Sequence, residues 1–366
     1  MSGGSDLTLS PATSAASRTL RLFRQPSLLA VLLGFGLSFA VGSAIIAMIG
    51  VDPIQGIRVA LEGSVTTPRG LANSLVFATP RLLVALGACI AIRSGMFNLG
   101  GEGQLQMGAV GAAVAAIFLG PMFAPLHVLL AITAAGVAGG LWAAIAALLQ
   151  VWRGANVLIT TLLMNFVALY FVAYLVQGPL QEPGSIFSQS ARIAETAELP
   201  TIFSGTRLHL GFMLALLGVV AAQLLLHRTA LGVEFRAAGF NPRAATYSGL
   251  SPSRLIVVSM FISGLYGGLG GATAILGVQY RLLQGFSLGI GFEGLAIAFL
   301  GGLNPILVLL VALLFGALQA GVLELQKELG VPASMTLIME GLPILVLAAA
   351  RGLSMARRGT GSLSVD

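Results

Sequence analysis

The sequence predicts an all-α, polytopic membrane protein with about ten transmembrane helices, arranged as an inverted five-helix repeat. Three observations carry that prediction. The chain is 57% hydrophobic and only 9% charged, with a mean hydropathy of +0.95, whereas a soluble domain carries about a quarter of its residues charged. Its apolar residues form continuous runs of spanning length, not the alternating ten-residue segments of an outer-membrane barrel. Two polar, glycine-rich interruptions, holding Glu102-Gly103 and Glu293-Gly294, fall at corresponding places in two five-span halves. An odd number of spans per half inverts one half relative to the other.

Residues 1–27 are rich in Ser, Thr and Arg and read as a disordered tail. Apolar windows then place segments near 28–50, 70–92, 102–120, 127–150, 157–177, 208–227, 255–278, 287–303, 305–325 and 334–350. The first run is longer than a signal-peptide core and reads as an uncleaved anchor, with cleavage near Gly42, Ser43 and Ala44 as the alternative. The seventh to ninth segments are rich in Gly and Pro, which leaves re-entrant or broken helices open. Residues 351–366 form a second tail. Sparse aromatics and 48 glycines fit tightly packed membrane helices.

All nineteen basic residues except Lys327 are arginines. Arg18, Arg21 and Arg24 precede the first segment; Arg228, Arg236, Arg243 and Arg254 flank the segment 228–254; Arg351, Arg357 and Arg358 follow the last. An even number of crossings puts the three clusters on one side, which the positive-inside rule makes cytoplasmic. Residues 178–207, with Glu182, Glu195 and Glu198, then face the opposite side.

Within 228–254, Asn241 is placed as an N-cap, Pro242 as the first helical residue and Gly249 as the terminator. Ser251-Pro252 repeats the start signal. The resulting helix has about two turns, far fewer than the roughly 12–15 residues an isolated helix needs in water. A short helix at a membrane surface needs a partner to hold it.

Asn98, Glu102, Gln104 and Gln106 lie among Gly100, Gly101 and Gly103, where an apolar helix would otherwise run. Such a stretch reads either as a discontinuous helix at a polar cavity or as a capped turn between two spans. An ionised carboxylate at mid-membrane costs roughly 2.5–3.5 kcal/mol, so Glu102, Glu293 and Glu340 are functional or paired, and Arg81 is a candidate counter-charge. Asn165 reads as a packing residue or a substrate contact. His127, His209 and His227 read as structural, Trp142 as packing and Trp152 as an interfacial anchor.

With three His and a single Cys89, the composition argues against a metal site, and no cofactor is expected. The only lysine is followed by Glu328, which excludes a phosphate-binding P-loop. Any ATP-driven work must therefore belong to another subunit, and no catalytic set is present that would mark an enzyme.

Four stretches, taken in order, resemble one family. They are Phe97-Asn-Leu-Gly-Gly-Glu-Gly-Gln-Leu105; Gly154-Ala-Asn-Val-Leu-Ile159 with Leu163-Met-Asn165; Arg236-Ala-Ala-Gly-Phe-Asn-Pro-Arg-Ala-Ala-Thr-Tyr-Ser-Gly249; and Ala298-Phe-Leu-Gly-Gly-Leu-Asn-Pro305 with Leu314-Phe-Gly-Ala-Leu-Gln-Ala-Gly321. From about residue 70 to 350 the chain is similar to permease subunits of bacterial ABC importers for nucleosides and simple sugars. The resemblance implies a permease domain over 28–350 in the bacterial inner membrane, with both termini cytoplasmic. It further implies ATP-binding subunits, a second permease subunit (identical or paralogous) and an extracytoplasmic substrate-binding protein.

On that resemblance, Arg236, Gly239, Phe240, Asn241, Pro242, Arg243, Tyr247 and Gly249 match the helix that couples the permease to its ATPase. Phe240 departs from a position where the family often carries Glu. Asn98, Glu102, Gln104, Asn165 and Glu293 are the candidates for lining or supporting the translocation pathway. A nucleoside importer is the leading reading. A ribose- or galactose-type importer, or a proton-coupled secondary transporter using Glu102, Glu293 or Glu340, are the alternatives.

Overall fold

The computed structural model describes residues 28–349 apart from 288, 333, 336, 347 and 348. The two tails and the flanking arginine clusters Arg18, Arg21, Arg24, Arg351, Arg357 and Arg358 lie outside the described residues. The elements in order are α1 (Leu28–Met48), α2 (Pro53–Leu61) continuing into a π-turn (Glu62–Thr66), α3 (Pro68–Arg93), α4 (Gly101–Phe118), α5 (Ala124–Arg153) and α6 (Val157–Gln177). There follow α7 (Gly211–Arg228), α8 (Ala230–Phe240), α9 (Pro242–Tyr247), α10 (Pro252–Ala274) with a π-turn (Ile275–Gln279), α11 (Ile290–Leu300) and α12 (Pro305–Leu329). An apolar helix α13 (Leu337–Val346) ends the described chain. Among the described residues the only β-pairings are isolated bridges, such as Gln181 with Ser190.

Of the ten segments that hydropathy predicts, six form helices long and apolar enough to cross a membrane: α3, α5, α6, α7, α10 and α12. The π-turn lengthens α10 to a full span of 28 residues, so the Gly/Pro content of the seventh and ninth segments does not break them. The eighth does break. Its helix, α11, has 11 residues and reaches only about 16 Å at 1.5 Å per residue, half a bilayer core. Hydropathy also misses α2, a short helix capped by Asp52, whose side chain accepts from the Ile54 amide.

Helix α3 is the axis of the bundle: 89% of its best apolar window is buried. Small residues let its neighbours close on one another, as expected where lipid offers no hydrophobic drive. A methyl group on Gly108 of α4 would meet Gly268 Cα of α10 at 2.2 Å, and one on Gly264 would meet Gly139 O of α5 at 2.3 Å.

Contacts sort the connections into two ends. At one end, Gly95 abuts Gly239 and Arg93 Nη2 donates to Leu303 O at 3.0 Å. At the other, residues 178–210 lace onto 275–286: the Ser190 amide donates to Leu282 O at 2.9 Å and the Leu199 amide to Leu276 O at 2.8 Å. Arg281 pairs with Glu182 at 2.8 Å there. His209 is buried beside α10, its Nδ1 accepting from the Gly211 amide at 3.1 Å; burial lowers its pKa to about 4, so the ring is neutral.

Candidate functional site: a polar centre where two half-helices meet

Helices α4 and α11 begin inside the bundle, and their first turns touch. A methyl group on Gly291 would lie 2.1 Å from the Glu102 amide nitrogen, so only glycine allows the approach. Glu102, in the first turn of α4, reaches across: its Oε2 accepts from the Gly291 amide at 2.8 Å and its Oε1 from the Ser287 hydroxyl. The carboxylate thus caps the other helix, where an anion is favoured by the free amides and the dipole. Gln106, one turn on, donates to Glu102 Oε1 at 3.3 Å and to Ser287 Oγ at 3.2 Å.

The chain entering α4 is pinned by buried amides. Asn165 Oδ1 accepts from the Gly103 amide at 2.8 Å and its Nδ2 donates to Leu99 O at 2.9 Å. Thr161, one helical turn before Asn165, accepts from the Leu99 amide at 3.2 Å. Asn98 accepts from the Gly100 amide at 2.9 Å and from Gln104 Nε2 at 3.0 Å, and donates to Ser263 Oγ at 2.9 Å. These contacts satisfy backbone groups that an interrupted helix would leave bare inside a membrane.

A pocket of about 230 Å³ opens at the junction, lined by Glu102, Gln106, Asn165, Phe166, Leu169, Gly285, Ser287, Gly289 and Phe292. Of the five pathway candidates, Glu102 and Asn165 line it. Asn98 and Gln104 are engaged with each other beside it. Glu293 turns instead to Arg81, midway along α3 and next to Pro80, and the two are hydrogen-bonded. Arg81 also lies 3.5 Å from Glu340 and donates to Phe77 O at 3.0 Å, beside the helical hydrogen bond that Pro80 removes. The counter-charge expected of Arg81 therefore serves two carboxylates. Phe166, Phe292, Thr161 and Ser263 were not legible as site residues. The i, i+4 spacing of Thr161 and Asn165 on one helix face was the available signal.

At the near end of the bundle, Asn241 Oδ1 accepts from the Arg243 and Ala244 amides, each at 3.1 Å. Pro242 opens α9, and Gly249 follows it in the left-handed region at φ +81°. Ser251 precedes Pro252 without a side-chain cap bond. Tyr247 is 93% and Phe240 57% exposed. Arg236 is directed inward, its Nη1 hydrogen-bonded to Leu226 O at the end of α7. Gly239 packs on the chain that leads to α4: a methyl group there would meet Arg93 O at 2.6 Å.

A helix bundle of this hydropathy, built around interrupted helices with a polar junction, belongs to the class of integral membrane transport proteins. The chain is a member of the family described as branched-chain amino acid transport system / permease component, whose match covers residues 70–348. It is 34% identical over 332 residues to the guanosine ABC transporter permease protein NupP of Bacillus subtilis, covering 89% of this chain and 94% of the relative. It is 33% identical to the glucose ABC transporter permease protein TsgB13 of Haloferax volcanii, over 88% of this chain and 89% of the relative. The nucleoside ABC transporter permease protein NupB of Lactococcus lactis is 29% identical over the same shares. No solved structure matches. Family membership makes the chain a membrane subunit of an ABC transporter, a complex that includes ATP-binding subunits and a substrate-binding protein.

Proposed function

We propose that this chain is the permease subunit of an ATP-driven importer of nucleosides, working with a second permease subunit in a bacterial inner membrane. The observation that carries the coupling role is α9: six residues, capped at both ends, presenting an almost fully exposed Tyr247. In isolation so short a helix would not persist; buried Ala245 seats it on the bundle and leaves Tyr247 on its outer face. Gly239, at the end of α8 just before it, sits on Gly95 and gives a mechanical route from a motor to the start of α4, while the Arg93–Leu303 bond ties the end of α11 to the same place. Phe240, Arg243 and Tyr247 are the side chains offered to the ATPase; Arg236, Gly239, Asn241, Pro242 and Gly249 shape the segment. The pathway runs past the junction, with Glu102 and Asn165 facing it and Asn98, Gln104 and Glu293 holding its walls.

Gly34 lies against Pro343, and Gly42 against Met335 and Met339, so α1 and the last described helix run antiparallel. That arrangement supports both termini on the coupling side, which the arginine bias makes cytoplasmic. The guanosine and nucleoside permeases among the relatives support the cargo; the glucose permease keeps a sugar as the second reading. The test is uptake of labelled guanosine and labelled glucose by cells with and without this chain, with an ATPase-inactive complex as control. Guanosine uptake lost in both the deletion and the control is expected. Loss of glucose uptake alone would transfer the chain to sugars, and uptake surviving the dead ATPase would refute a motor-driven permease.

A further inference from the structure

We infer that the pocket at the α4–α11 junction is a recognition site for an uncharged nucleoside, with Phe166 and Phe292 taking the base and Gln106 accepting a hydrogen bond from it, and that it rejects phosphorylated nucleotides. The inference rests on the importer reading and specifies what its pathway selects.

The pocket has an apolar wall and an acceptor wall. Phe166 and Phe292 line it and are 52% and 45% exposed; aromatic rings are surfaces on which bases of any sequence stack. On the other wall, Gln106 is 3% exposed, yet its Oε1 has no hydrogen-bond partner. The orientation of this amide is fixed by its neighbour: turning Oε1 toward Glu102 would set oxygen against carboxylate. A buried acceptor left bare is costly, so the site is completed by a donor. Purine N–H groups and ribose hydroxyls are donors of that kind.

Charge decides what is excluded. Among the described residues, no Lys, Arg or His lines the pocket. The amide end of α11, which would attract an anion, is already occupied by Glu102, whose Oε2 accepts from the Gly291 amide. A phosphate entering here would set its oxygens against the acceptor oxygens of Glu102, with no cation among the described lining residues to offset it. A neutral ligand with an aromatic face and several donors fits both walls.

The test is binding of tritiated guanosine to the purified whole transporter in detergent without its substrate-binding protein, paired with ATP-driven guanosine uptake by the complete system in proteoliposomes. Guanosine is expected to bind and to be displaced by adenosine but not by guanosine 5′-monophosphate or ribose. Phe292→Ala and Gln106→Met should each weaken binding by roughly tenfold, the scale of one stacking or hydrogen-bond contact. Phe292 is exposed enough that its truncation leaves folding intact, which protects the test if Gln106→Met misfolds. Wild-type uptake with binding unchanged in both variants, with displacement by the monophosphate, or with no binding at all would overturn the site while leaving the importer standing. Absence of ATP-driven guanosine uptake by the wild-type system would overturn the importer itself.

Discussion

Arg81 shows most clearly how single residues carry this membrane bundle. It is 4% exposed, in the middle of α3, and faces Glu293 and Glu340, with Gln319 Oε1 accepting from Nη2 at 3.4 Å. One guanidinium thus holds three helices, α11, α12 and α13, against the axis. Removing it leaves buried Glu340 and partly buried Glu293 without the guanidinium that pairs them, a loss of about 3–5 kcal/mol for a broken buried pair. Arg81→Met is therefore expected to lower the thermal midpoint in detergent sharply. Arg81→Met with Glu293→Gln and Glu340→Gln should recover most of it. Equal midpoints for wild type and the single variant would show that the cluster contributes nothing to stability. The sequence exposed this cluster because charges within apolar runs are conspicuous; the contact between residues 81, 293 and 340 needed the fold.

Among the elements, segment 228–254 was the most legible; α2 was missed altogether, and the break at α11 was only left open. Asn241, Pro242 and Gly249 announce a helix boundary by local chemistry, and the helix forms as Pro242–Tyr247. Residues 287–303 have the hydropathy of a span, but window averages do not register Gly289 in the left-handed region at φ +91°, which sets the late start of α11. Arg236, matched by resemblance to the coupling helix, turns inward instead, its guanidinium closing on a carbonyl of α7. Gly239 gained its meaning only from the structure, through its seat on residues 93–95. Gly239→Val should insert and assemble normally, yet reduce uptake per ATP hydrolysed by several-fold, because the added methyls push the coupling segment off the start of α4. An unchanged ratio of uptake to hydrolysis would remove Gly239 from the route.

For the molecule as a whole, the arrangement joins a short helix with an exposed Tyr247 at one end to a polar junction inside the bundle. Composition pointed to a membrane protein, Lys327-Glu328 excluded a P-loop, and ordered motifs placed the chain among ABC permeases, as the family match over residues 70–348 shows. The ten-span, inverted-repeat plan remains a sequence expectation, beside six helices of full spanning length. The central claim is that force applied at residues 241–248 drives cargo past Glu102. The most direct measurement is guanosine uptake and ATP hydrolysis, recorded together in proteoliposomes, for wild type and for a variant lacking residues 241–248. The account predicts a variant that inserts and assembles but whose hydrolysis no longer drives uptake. Normal uptake by the deletion variant would contradict it.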